Sequence, residues 1–220
     1  MNVVAIIPTL DEEAGIAEVI AGFKTIGINK IIVADGGSSD KTCKIAKENG
    51  AEIIAVPRGK GNGFRKALNS IKIEDNATYI MIDGDASYDS KESTKLLELI
   101  KDFDVVTGQR NLLIHDVTSA VHVLGNLLIS VFGSVAFFKW NPDICTGFWT
   151  FKGSALKQLR DKLTAEKFEL EADLFSSLCK MGLKHKSIPI SYVKRKGESK
   201  LRTRDAFKIL FKMIKARLSK

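Results

Sequence analysis

VVAIIPTLDEEAGIAEVIAGF, residues 3–23, contains two periodicities in succession. Val3–Pro8 is a short apolar run rich in β-branched residues, suited to a buried strand. Glu12–Phe23 places Ile16, Val19, Ile20 and Phe23 at helical spacing, which gives one apolar helix face. A strand that is apolar throughout, followed by an amphipathic helix, is the βα unit of a parallel sheet covered on both sides.

The alternation continues outward. Strands are predicted at Lys30–Ala34, Glu52–Val56, Tyr79–Ile82 and Asp104–Thr107, with helices over Asp40–Asn49, Gly63–Ile71 and Ser90–Lys101. Further on come a short strand at Phe148–Phe151, helices over Gly153–Leu163 and Phe168–Met181, and a last strand at Lys186–Val193. A charged loop, Lys194–Arg204, precedes a helix starting at about Thr203. The fold class is therefore α/β: a Rossmann-like, mostly parallel sheet flanked by helices, forming one domain over 1–202, followed by a basic amphipathic C-terminal helix over 203–220.

Charge divides the chain. Residues 1–110 carry 14 Lys+Arg and 17 Asp+Glu, whereas the last forty carry 13 and 2. The basic end points to a local anionic partner. Three scattered cysteines and three scattered histidines form no zinc or disulfide pattern. Met1 leads into an apolar strand without a basic leader, so a cytoplasmic location is expected. Residues 117–138 contain no Asp, Glu, Lys or Arg. Thr118, His122, Asn126, Ser130 and Ser134 nevertheless recur every four residues as a polar stripe. That pattern suits a buried or interfacial helix better than a membrane span.

Three segments fall where strands end, the edge at which open α/β sheets bind ligands. They are PTLDEE at 8–13, ADGGSSD at 34–40 and the Asp83-Gly84-Asp85 triplet. Asp83 and Asp85 can converge on one hard cation, Mg²⁺ or Mn²⁺, that keeps positions for phosphate oxygens. As a turn, Asp-Gly is the competing explanation. Between these segments lies RGKGNG, residues 58–63, glycine-rich and basic but without a Walker ending.

These segments in this order resemble the family 2 glycosyltransferases with a GT-A fold. The match continues through TGQR at 107–110, DICTGF at 143–148, FELE at 168–171 and GESKL at 197–201. The set is most similar to the polyprenyl-phosphate branch, which includes dolichyl-phosphate sugar synthases. The resemblance implies that Pro8, Thr9, Glu12 and Asp35 line a nucleotide pocket, with Asp35 at the base and Lys60 and Gly61 beside the nucleotide. It implies Asp83 and Asp85 as metal ligands. Arg110, Ser199, Lys200 and Arg202 match phosphate-holding positions, and Asp143, Gly147 and Phe148 match an acceptor-side loop. The chain departs from the pattern at Ala34, Leu10 and Asp11. Ser87 stands where a Gln is frequent, which puts a third metal ligand in doubt. Trp149 stands in place of an Arg, with Lys152 as a candidate substitute contact.

The implied reaction is inverting transfer of a sugar from a UDP- or GDP-sugar to dolichyl or another polyprenyl phosphate. A phosphate acceptor is already ionised, so a strong general base is dispensable. Two alternatives stay open. One is transfer to a sugar hydroxyl of a lipid-linked or soluble glycan, with Asp143 as base; the other is a non-catalytic nucleotide-sugar-binding subunit. On the terminal helix Phe207, Leu210, Phe211, Ile214 and Leu218 are expected on one face, among Lys208, Lys212, Lys215, Arg217 and Lys220. That suits the anionic cytoplasmic face of a membrane, with peripheral attachment. No stacking platform accompanies the charge, so nucleic acid is not expected. A homo-oligomer is left open.

Overall fold

Strands β1 (Val3–Thr9), β2 (Lys30–Asp35), β3 (Glu52–Ala55), β4 (Thr78–Met81), β5 (Val105–Arg110), β6 (Trp149–Lys152) and β7 (His185–Ile190) form one sheet in the order β3-β2-β1-β4-β6-β5-β7. The structure, a computed structural model, describes residues 2–111, 120–197, 200 and 203–219. The helices are α1 (Ile16–Thr25), α2 (Thr42–Glu48), α3 (Lys60–Ser70), α4 (Ser93–Leu99), α5 (Ala120–Ala136), α6 (Gly153–Arg160), α7 (Leu170–Lys180) and α8 (Thr203–Leu218).

Alternate strand residues feed two cores. Ala5, Ile7, Val33 and Ile80 face Ile16, Val19, Ile20 and Phe23 of α1 and Leu96 of α4. Val4, Ile6, Ile32 and Met81 face α3 through Phe64 and Leu68, with α6 and α7 beyond. A fully buried side chain such as Phe23 or Phe64 contributes about 1.5–3 kcal/mol. The expected strands and helices are present, with shifted ends. Helix α1 starts at Ile16 rather than Glu12, because Glu12 and Glu13 donate their amides across to Thr42 and Asp40.

The sheet departs from a fully parallel one at β6, which runs antiparallel to both β4 and β5. The cause is the connection. The chain leaves β5 at its C-terminal edge and re-enters β6 from that same edge, so β6 must run back. As a result the loop before β6 meets the loops that follow β1, β2, β4, β5 and β7.

Helix α5 turns its polar stripe inward. Asn126, Ser130 and Ser134 are buried; Ser130 Oγ accepts the Ile144 amide at 3.0 Å and Ser134 Oγ accepts the Asn141 amide at 2.9 Å. The opposite face leaves Leu124, Leu128 and Val135 57–68% exposed. Thr118 lies outside the described residues. Helix α8 packs against α5 and α7 through Ile209 and Met213. Phe207, Phe211, Ile214 and Leu218 remain exposed, while Lys212 pairs with Asp173 at 3.4 Å. Among the described residues, no helix is long and apolar enough to cross a membrane.

Candidate active site

The loops after β1 and β2 lock together. Asp11, held at φ 51°, accepts the Ser39 amide at 2.7 Å, and Glu13 accepts the Lys41 amide at 2.9 Å. In return Asp40 Oδ2 accepts the Glu13 amide at 3.1 Å. Asp35 sits at the centre. Its Oδ2 takes the amides of Gly37 and Ser38, each at 3.0 Å, and its Oδ1 takes the Ser38 hydroxyl at 2.5 Å and the Thr9 hydroxyl at 3.4 Å. Burial would raise its pKa, but the Ser38 and Gly37 donors outweigh it and hold the carboxyl below its ordinary value. Both oxygens of Asp35 thus organise the loop. Pro8, half-buried beside Ala34 in the β1–β2 ladder, completes this wall.

Asp83 and Asp85 follow β4. Each has a cation in contact. Lys60 Nζ, at the start of α3, lies 2.5 Å from Asp83 Oδ1 and also bonds Glu171 Oε1 at the start of α7. Burial would lower the Lys60 pKa, but the two carboxylates raise it above its ordinary value, so Lys60 stays charged. Asp85 Oδ1 accepts the Ser87 amide at 3.0 Å and hydroxyl at 2.6 Å, forming an Asx-type turn. Its Oδ2 lies 3.3 Å from Arg195, in the segment after β7. Arg195 also reaches Glu12 Oε1 at 3.2 Å, as does Lys200 Nζ at 2.9 Å. Burial first of all pushes Glu12 and Glu171 up in pKa, against these cations.

Arg110, at the end of β5, grips Asp143 from three donors. Its Nε and backbone amide reach Oδ2 at 2.8 and 2.9 Å, and its terminal nitrogen reaches Oδ1 at 2.7 Å. The Arg110 guanidinium also lies over the Tyr192 ring, 5.3 Å from its centroid. Tyr192 bridges to Tyr88, whose hydroxyl accepts the Gly147 amide at 2.7 Å. A Cβ at Gly147 would stand 2.1 Å from Asp83 Oδ2, so a side chain there would displace that carboxylate.

Thr9, Glu12, Asp35, Lys60, Asp83, Asp85, Arg110, Asp143 and Lys200 are therefore gathered at one sheet edge. Gly61 is buried beside them, but its amide bonds Lys167 O at 3.0 Å. Ser199 and Arg202 lie outside the described residues. One alternative drawn from the sequence, Lys152 as a substitute contact, is corrected. Trp149 points into the core, fully buried, with its Nε1 donating to Thr146 O at 2.7 Å. Lys152 pairs in register with Thr78 at the start of β4, the opposite edge, and cannot replace a contact here. Arg195 and Glu171 are the charged side chains at this edge that sequence reasoning gave no role. The FELE string and the charged loop after β7 were their only signals.

Among the described residues, no group of three or more His, Cys, Asp and Glu side chains is arranged to hold a metal. Asp83 and Asp85 nevertheless fit a hard divalent ion that takes the rest of its shell from water and phosphate. Both carboxylates already draw a cation to contact distance, and Glu12 Oε2 is buried without a partner beside them.

The glycosyl transferase family 2 profile matches residues 4–160. The chain belongs to glycosyl transferase family 2. It is 30% identical over 196 residues to the glycosyltransferase AglJ of Haloferax volcanii, covering 86% of this chain but only 62% of AglJ. It is 28% identical over 204 residues to a dolichyl-phosphate hexose transferase of the same organism, covering 91% and 86% of the two chains. The crystal structure of glucosyl-3-phosphoglycerate synthase from Mycobacterium tuberculosis in complex with Mn²⁺ and UDP-glucose superposes with a TM-score of 0.75 at 17% identity. That match covers 98% of this chain and 78% of the synthase and shows a shared GT-A fold.

Proposed function

We propose that this family 2 glycosyltransferase moves a sugar from a UDP- or GDP-sugar to the phosphate of dolichol or another polyprenol, with inversion at the transferred carbon. The observation that carries this reading is the state of Asp143. Arg110 holds both of its oxygens, so it is poorly placed to take a proton from a sugar hydroxyl. A lipid phosphate needs no such base. The site offers what two phosphate groups require: Lys60, Arg110, Arg195 and Lys200 at one edge.

In this reading Pro8, Thr9, Glu12 and Asp35 form the nucleoside side, and Ser199, Lys200 and Arg202 bind phosphate. Asp83 and Asp85 hold Mg²⁺ or Mn²⁺, which when bound supplies Lewis-acid stabilisation of the diphosphate leaving group. The Mn²⁺ and UDP-glucose of the structural neighbour and the name of the Haloferax volcanii hexose transferase both support it. The exposed apolar faces of α5 and α8, with Lys208, Lys215 and Arg217 exposed nearby, support peripheral attachment to the cytoplasmic face of an anionic membrane.

The test is transfer from labelled UDP- and GDP-sugars to dolichyl phosphate, with Mg²⁺, Mn²⁺ or a chelator. Metal-dependent label in the organic phase is the expected result. Label that forms only on a sugar hydroxyl overturns the acceptor. Bound nucleotide with no turnover on any acceptor favours a binding subunit.

A further inference from the structure

We infer that Lys60 and Arg195 are resident cations that close Asp83 and Asp85 to free divalent metal, so that metal enters together with a nucleoside diphosphate. This rests on the nucleotide-sugar reading above and concerns how that site is loaded.

The two aspartates are held separately, by different parts of the chain. Lys60 comes from the first residue of α3 and contacts Asp83 at 2.5 Å. Arg195 comes from the segment after β7 and contacts Asp85 at 3.3 Å. A lysine ammonium or a guanidinium already paired with a carboxylate weakens that carboxylate's hold on a divalent ion, because like charges repel. Free metal must therefore bind against the charge of both, with two cations near the ion and reduced compensation. A diphosphate changes this balance. Its oxygens offer each cation a new anionic partner, and a guanidinium suits phosphate through its paired donors. Arg195 keeps one such donor in reserve, since its Nε is buried and has no partner.

Glu171 makes the exchange local. It also bonds Lys60, so Lys60 keeps one carboxylate when Asp83 is taken. Glu171 is thus a positioning residue. The Asp85 Oδ1 bonds to Ser87 likewise leave its Oδ2 as the oxygen that Arg195 and a metal would compete for. Because coupling is reciprocal, the nucleotide should raise metal affinity by the same factor as metal raises nucleotide affinity.

The experiment is Mn²⁺ binding to the full chain, followed by the electron paramagnetic resonance of free Mn²⁺, alone and with UDP or GDP. For the wild type, Mn²⁺ alone should bind weakly and the nucleotide should tighten it about tenfold or more. Lys60→Met and Arg195→Gln should each tighten binding of Mn²⁺ alone by about tenfold and shrink the gain from nucleotide. Lys152→Met, which removes a cation at the opposite edge, should leave Mn²⁺ affinity unchanged. Circular dichroism establishes that each variant is folded. Unchanged or weaker Mn²⁺ binding in folded Lys60→Met and Arg195→Gln overturns the inference. Wild type that ignores both nucleotides, with variants that still bind Mn²⁺ more tightly, overturns the donor reading and leaves the resident cations standing.

Discussion

Arg110 Nε lies 2.8 Å from Asp143 Oδ2, and its terminal nitrogen lies 2.7 Å from Oδ1 of the same carboxylate, which is 1% exposed. Removing one partner strands the other in a place without water. Arg110→Met should therefore cost about 3–5 kcal/mol, more than the intact pair contributes. Arg110→Met with Asp143→Leu should regain most of that loss. Urea unfolding of both variants checks this, and additive losses would mean that the two residues are not coupled.

Asp85 has a structural oxygen and a chemical one. Asp85→Asn keeps an acceptor for Ser87 but loses the charge facing Arg195. Transfer should fall by about a hundredfold or more while the melting temperature moves little. Near-normal turnover would remove Asp85 from the chemistry.

Gly147→Ala should damage the site without dissolving the fold. The added methyl would collide with the Asp83 carboxylate, which would have to leave Lys60. Mn²⁺ binding in the presence of nucleotide should drop in parallel with activity. Retention of both would show that the loop yields.

His185 gives a pH signature. Burial foremost, with Lys139 nearby, pushes its pKa down from 6.5 to about 4. Between those values the unfolded chain binds the proton and the folded chain does not. Stability is then complete above the unfolded pKa and falls as pH drops toward 4, by up to roughly 3 kcal/mol. His185→Gln, which can keep a hydrogen bond to Thr107, should lose less than the wild type over that interval in urea titrations.

The α8 surface sets the membrane test. Deleting 203–220 would uncover the core behind Ile209 and Met213, so loss of binding would be ambiguous. Phe207→Glu with Phe211→Glu alters only the exposed side. The wild type should float with anionic vesicles in a salt-sensitive manner, and the double variant should stay in solution. Equal flotation would remove α8 from the contact.

The sheet was legible because its strands are apolar on both faces, and Asp83 and Asp85 because they stand where a strand ends; Lys60 and Arg110 were picked out through the family resemblance. The direction of β6 was not legible, since a four-residue run such as Trp149–Lys152 carries no mark of polarity. The polar stripe of α5 was visible, but periodicity says only that two faces differ, not which one faces the protein. Arg195 and Glu171 were hidden for another reason. Their partners lie more than a hundred residues away, and only the folded sheet brings them together.

The position of β6 bears on how the chain is made. Residues 149–152 are wedged between strands at 78–81 and 105–110, both synthesised earlier. A ribosome that has released only the first 110 residues has supplied a four-stranded sheet and a lone strand, β5, with no ladder to join them. The N-terminal βα units can condense early, but β4 and β5 must wait with open edges until β6 emerges. Such waiting edges invite pairing with other chains. Slowed elongation between residues 110 and 152 should therefore increase aggregation of the nascent chain more than an equal delay after residue 190.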